Sequence, residues 1–176
     1  MNRDELRAVQ QPLKEQYKST PAAALITLRA AGALGDHVTC NVETGRALVQ
    51  AGLHPATGGS GLSLCSGDML LQALVACAGV TLSAVATSIG VELRGATLTA
   101  EGDLDFRGTL GVARDVPVGF QRVRLAIILD TDAAETEQKK LLELTERYCV
   151  VYQTLARSPE IVVTIRTGRL PSAKPK

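Results

Sequence analysis

The stretch QALVACAGVTLSAVATSIGV, residues 72–91, contains no charged side chain and holds Cys77 among alanines, valines and leucines. It admits three readings: a membrane span, a plain core helix, or a core helix built around a reactive cysteine. The uncharged run extends over 23 residues, Met69 to Val91, which is long enough to cross a bilayer. Its content argues against a span. Gln72, Thr81, Ser83, Thr87 and Ser88 dilute the hydrophobicity, alanines stand in place of leucines, and neither end has an aromatic belt or a Lys/Arg flank. The stretch reads as a buried soluble helix, with Ser66 or Asp68 as N-cap and Gly90 near its end. A helix that is apolar nearly all round must be covered on every side. A single sheet of five or six strands covers one face. The other needs a partner, most simply the same helix of a second subunit across a two-fold axis, so the sequence predicts an obligate homodimer.

On either side of this helix the patterns are those of a small α+β domain. Asn2, with Glu5 three residues on, caps a first helix that Pro12 kinks or splits and Pro21 ends. Residues 1–21 form a helical extension ahead of a single domain over 22–167, and 168–176 a disordered tail. Strand-like runs follow at AALITLRA (23–30), HVTCNVE (37–43) and RALVQAG (46–52), then a Gly/Ser/Pro loop over 53–68. Beyond the long helix, ATLTAEGDLDF (96–106) alternates, with Leu98, Ala100, Leu104 and Phe106 on one face and an irregularity at Gly102. VRLAIILD (123–130) is another strand. Asp132 and Glu135 form a capping box for an amphipathic helix carrying Leu141, Leu142, Leu144 and Tyr148, which ends in ERYCVVYQTLARSP. IVVTIR (161–166) is a closing strand. The order βββ-α-ββ-α-β is α+β with mostly antiparallel strands.

The totals narrow the function. Nineteen basic and eighteen acidic residues leave nothing to attract nucleic acid or an anionic membrane. Apolar residues make up 45% and aromatics only 3%, so Ala, Val, Leu and Ile must fill the core. The charged N-terminus reads as no secretory signal, so the cytoplasm is the expected compartment. There four cysteines do not form a structural disulfide framework.

A buried Cys is most often a small inert hydrophobe. A reactive one needs a cation, a helix N-terminus or a hydrogen bond to favour its thiolate. Mid-helix placement gives Cys77 no dipole help, so an Arg or His must come from elsewhere. Cys149, where an amphipathic helix gives way to an apolar segment, is the second candidate. Seventy-two residues separate the two, which is neither a C-x-x-C motif nor a zinc ribbon. Tyr148 and Tyr152 flank Cys149 as core or pocket wall, and Glu101 and Asp103 read as strand-face charges. Cys40, His54 and Cys65 match no metal-ligand spacing, and no metal or cofactor is expected. His54 bonds within its loop or lies near the thiol. On a helix, Cys65 would lie about 18 Å from Cys77.

The segment ACAGVTLSAVATSIGVEL, preceded by SGDMLLQALV and followed by TERYCVVYQTL, resembles the OsmC/Ohr superfamily of osmotically induced and organic hydroperoxide resistance proteins over about residues 25–166. The resemblance implies antiparallel sheets around long central helices in an intertwined homodimer. It implies Cys77 as peroxidatic and Cys149 as resolving cysteine. A Cys77 thiolate attacks an organic hydroperoxide and becomes a sulfenic acid, Cys149 condenses with it to a disulfide, and an external dithiol of lipoyl type restores both. It further implies an Arg that stabilises the thiolate, matched by Arg29 or Arg46, and an acid that orients the Arg, matched by Asp68. Nine residues place Asp68 about 13 Å along a continuous helix from Cys77 and on nearly the opposite face, so it serves only from an unwound start or across the dimer. A surface N-cap is its other reading. Two positions depart from the family pattern: Asp68 where Glu is common, and Cys149-Val150 where Cys-Pro is common. The expected activity is a thiol-dependent hydroperoxide reductase. A non-catalytic stress protein that binds a small apolar ligand in the dimer pocket is the alternative from another class, and a thiol-based redox sensor a third.

Overall fold

The structure, a computed structural model, describes residues 2–20, 31–34, 39–43, 48–111 and 113–168. Helix α1 (Arg3–Ser19) opens with the reciprocal cap written in its sequence. Asn2 Oδ1 accepts from the Glu5 N–H at 2.9 Å, and Glu5 Oε2 accepts from the Asn2 N–H at 2.9 Å. Pro12 does not split it, because a proline removes one N–H donor and leaves the rest of the ladder intact. Pro21 and the run 23–30 lie outside the described residues.

Strands β1 (Ala31–Leu34), β2 (Thr39–Glu43) and β3 (Leu48–Gly52) form an antiparallel meander, and the short β4 (Leu64–Cys65) adds to β3 in parallel. β1 occupies a stretch that reads in sequence as a Gly-containing turn. A second sheet holds β5 (Gly95–Asp103) and β6 (Arg122–Asp130), antiparallel in unbroken register from Gly95↔Asp130 to Asp103↔Arg122. The described strands therefore form two sheets of four and two, not one of five or six. Gly102 causes no irregularity: it pairs with Val123, and its missing side chain makes room for the Phe120 ring. Leu104 and Phe106 fall beyond the strand, Phe106 opening a short helix α3 (Phe106–Thr109) capped by Asp105.

Helix α2 (Ser66–Ile89) contains the uncharged stretch. Neither Ser66 nor Asp68 is its N-cap. β4 holds Cys65 as the last extended residue, so Cys65 takes that position without a side-chain bond and Asp68 falls in the first turn. Gly90, at φ 78°, ends the helix in the left-handed conformation that glycine adopts without strain.

Helix α4 (Glu135–Tyr148) starts from Ala134, whose N–H donates to Glu137 Oε2 at 3.0 Å. The expected Asp132–Glu135 box does not form, because Asp132 is drawn to Arg94, which also pairs with Asp130. Instead of running on, α4 stops at Tyr148 and α5 (Val150–Ala156) begins after the single residue Cys149. The segment 161–166 is not a strand in this chain. Among the described residues it pairs with no strand, and Val163 is 87% and Ile165 90% exposed.

α2 packs against β5, α4 and α5 and touches the larger sheet at β4. Leu82, Val85 and Ala86 bury themselves with Leu141 of α4, flanked by Leu98, Ile127, Leu129 and Leu144. This packing makes α2 a core helix, although on length and composition it also meets the requirement for a membrane span. A stripe of Ala73, Ala76, Val80 and Ser83 stays exposed, Val80 by 74%.

Candidate active site: the Cys77–Cys149 pair

The break between α4 and α5 puts Cys149 against the middle of α2. Extended backbone at Cys149 (φ −73°, ψ 110°) lets one residue close α4 and cap α5. Its N–H donates to Thr145 O at 2.9 Å, its carbonyl accepts from Gln153 at 2.9 Å, and its Sγ accepts from the Tyr152 N–H at 3.5 Å. The side chain is wholly buried, whereas Cys77 is half-buried.

The two thiols share a hydrogen bond and are driven apart in acidity. Burial works against a charge on Cys77, but the Val151 N–H, the Cys149 thiol, the Val150 N–H and the Thr81 hydroxyl all donate to its sulfur, and together they bring its pKa below the ordinary thiol value. Burial pushes Cys149 the other way. The Tyr152 N–H opposes that, while the bond to Cys77 and the nearby negative charge reinforce it, so its pKa is raised. The pair is thus asymmetric, with the charged form favoured at Cys77 and disfavoured at Cys149.

Sequence reasoning missed the source of this activation. Cys77 gains nothing from the dipole of its own helix, as expected; that helix supplies only the Thr81 hydroxyl, while the first turn of α5 supplies two backbone donors. Main-chain N–H groups carry no residue signature, and the one clue was a break after Tyr148. The departure from Cys-Pro matters here, since a proline at residue 150 suits the first turn of a helix but has no N–H. Val150→Pro is therefore expected to keep α5 and raise the Cys77 pKa. At neutral pH the alkylation rate of Cys77 by iodoacetamide should fall about tenfold, the worth of one hydrogen bond to a charged group. An unchanged rate-versus-pH profile would remove the Val150 donor from this account.

The other candidates lie elsewhere. Asp68 is exposed and lines a separate cavity of about 360 Å³ with His54 and Cys65. His54 stays in its own loop, Nδ1 accepting from the Ala56 N–H at 3.0 Å and its ring stacked on Phe106 with centroids 4.9 Å apart. Tyr148 is 58% exposed under the Arg147 guanidinium. Tyr152 contributes its main chain to the site and lines a groove beside it. Arg29 and Arg46 lie outside the described residues, and of Cys40 only the backbone, in β2, is described. Among the described residues no group of three His, Cys, Asp or Glu side chains is placed to hold a metal ion.

That groove, about 470 Å³, runs between α2, β6 and α5 and is walled by Leu70, Leu74, Val123, Leu125 and Leu155. Leu74 stands one turn before Cys77 on α2. A largely apolar groove therefore lies beside the thiol pair, reaching it through Leu74 and Tyr152.

Comparison with solved structures gives the same fold. An OsmC-like protein from Mycoplasma pneumoniae matches with a TM-score of 0.63 at 16% identity, over 76% of this chain and 89% of that one. An organic hydroperoxide resistance protein OsmC from Legionella pneumophila matches at 0.59 and 19% identity, over 76% and 91%. An organic hydroperoxide resistance protein from Elizabethkingia anophelis matches at 0.60 and 18%, over 76% and 90%. No protein of curated function matches the chain. The OsmC-like protein family matches residues 59–164, a stretch that includes both thiols of the site and well over half of the sequence: the chain belongs to that family.

Proposed function

We propose that the protein is a thiol-dependent peroxidase that reduces organic hydroperoxides to alcohols. The observation that carries this reading is the asymmetry of the thiol pair, Cys77 made acidic by four donors while the contacting Cys149 is held protonated. The Cys77 thiolate attacks the distal oxygen of the hydroperoxide. An S–O bond forms as the O–O bond breaks, and the leaving alkoxide takes a proton to become the alcohol. Cys149 then attacks the sulfenic sulfur, forming the disulfide and releasing water. An external dithiol of lipoyl type reduces it by two exchange steps and leaves as its own disulfide. The apolar groove beside Cys77 favours an organic group over hydrogen peroxide. Arg29 or Arg46 adds a cation to the thiolate's donors. The family match, and relatives that bear the name organic hydroperoxide resistance protein, support the same chemistry.

The working unit in this proposal is a homodimer in the cytoplasm, where the thiols stay reduced between turnovers. The exposed stripe on α2 and the unpaired Ile and Val side chains of 161–166 support a second copy as their cover.

Intact-mass spectrometry after one equivalent of cumene hydroperoxide, with peptide mapping, tests the chemistry. The expected product has lost two hydrogens in a Cys77–Cys149 bridge that dihydrolipoate reverses. Unmodified thiols would end the peroxidase reading and turn attention to the groove as a site for an apolar ligand.

A further inference from the structure

Phe120 lines both the groove beside the thiol pair and the cavity that holds His54, Cys65 and Asp68. Its ring is wedged between two glycines on different elements. A Cβ at Gly102 of β5 would lie 2.4 Å from Phe120 Cε1, and one at Gly67, in the first turn of α2, would lie 3.4 Å from Cζ. The ring thus fills the gap between strand and helix at the point where the two spaces meet. Leu70 on one side and Leu71 on the other continue the division along α2.

We propose that Phe120 is a partition that sets the length of the organic group the thiol site accepts. With the ring in place, an alkyl chain whose reacting end is at Cys77 fills the groove of about 470 Å³ and stops. Without it, the chain continues past Gly102 and Gly67 into the second cavity, about 360 Å³, which is walled by Leu71, Leu104, Phe106 and the His54 ring together with Asp68 and Asp103. Phe120 is then a specificity-determining residue with no part in the redox steps. The inference rests on the proposed function for the identity of the ligand, while the partition itself can be read without any turnover.

The test is a chain-length series. Binding of n-alkanols from hexanol to hexadecanol is measured by calorimetry on the reduced protein, the Phe120→Leu variant and the Phe120→Ala variant. Affinity is expected to rise about fourfold per methylene and then level off where the groove is full. In Phe120→Ala the levelling-off should move to longer chains, and in Phe120→Leu, which keeps most of the apolar packing, it should move part of the way. Hexanol should bind alike to all three. The same levelling-off point in all proteins, or equal loss at every chain length, would overturn the partition. A parallel reaction with cumene hydroperoxide separates the two ideas. A shifted series with unreactive thiols keeps the partition and ends the peroxidase reading, and a Cys77–Cys149 bridge with an unshifted series does the reverse.

Discussion

Cys77→Ser should lower turnover of cumene hydroperoxide by three orders of magnitude or more, roughly the loss seen when an enzyme's only nucleophile is removed. A serine hydroxyl at residue 77 would receive the same four donors, but they cannot ionise it near neutral pH. Cys149→Ala should behave differently. The first oxidation persists, because Cys77 keeps the Val150, Val151 and Thr81 donors, and with excess peroxide it adds further oxygen and ends as sulfinic acid. That first step should also be slower than in the parent, since the Cys149 thiol is itself one of the groups that lower the Cys77 pKa. The sign follows directly. A lowered pKa keeps Cys77 ionised below the ordinary thiol range, so the rate of the first step should fall only as pH drops through that lower value. In Cys149→Ala the inflection moves up. Stopped-flow oxidation across pH, with mass spectrometry of the products, checks both. Equal turnover in the parent and Cys77→Ser would remove the enzymatic reading.

The second large effect concerns assembly. Val163→Asp combined with Ile165→Asp should turn a dimer into a monomer of 18.5 kDa in sedimentation at micromolar concentration. In the isolated chain both side chains are almost fully exposed, so carboxylates there would cost nothing. In a dimer that pairs and buries the segment 161–166, each carboxylate must leave water, and the pair should weaken association about a thousandfold or more. A parent that sediments as a monomer would rule the homodimer out. A dimer unaffected by the substitutions would move the interface to the α2 stripe.

The sequence was most legible where a single local rule decides. Asn2 with Glu5, Gly90, the alternation of β5, the apolar run of β6 and the apolar face of α4 each need only their near neighbours. It was least legible where a residue had two possible partners. Asp132 looked like a helix cap and went to Arg94 instead, and Thr131 donates to the Glu92 carbonyl at 2.6 Å. IVVTIR reads as a strand, yet pattern cannot say whether an edge is there to receive it. Local context named Cys77 and Cys149 as candidates, the family resemblance gave them paired roles, and the chain path brings them together. The helical period had already put Asp68 on the far side of α2, and the structure puts it in the other cavity.

The donors at Cys77 also bear on how the site tolerates genetic change. Two of the four belong to the main chain, so at residues 150 and 151 every substitution except proline leaves an N–H in place. The acidity of the sulfur is to that extent encoded in the route of the backbone, and drift in those side chains leaves it standing. Insertions or deletions between Tyr148 and Tyr152 are another matter. One residue more or fewer would turn the first turn of α5 by about 100° and carry the donors off the sulfur, while every side chain named in the chemistry remained present.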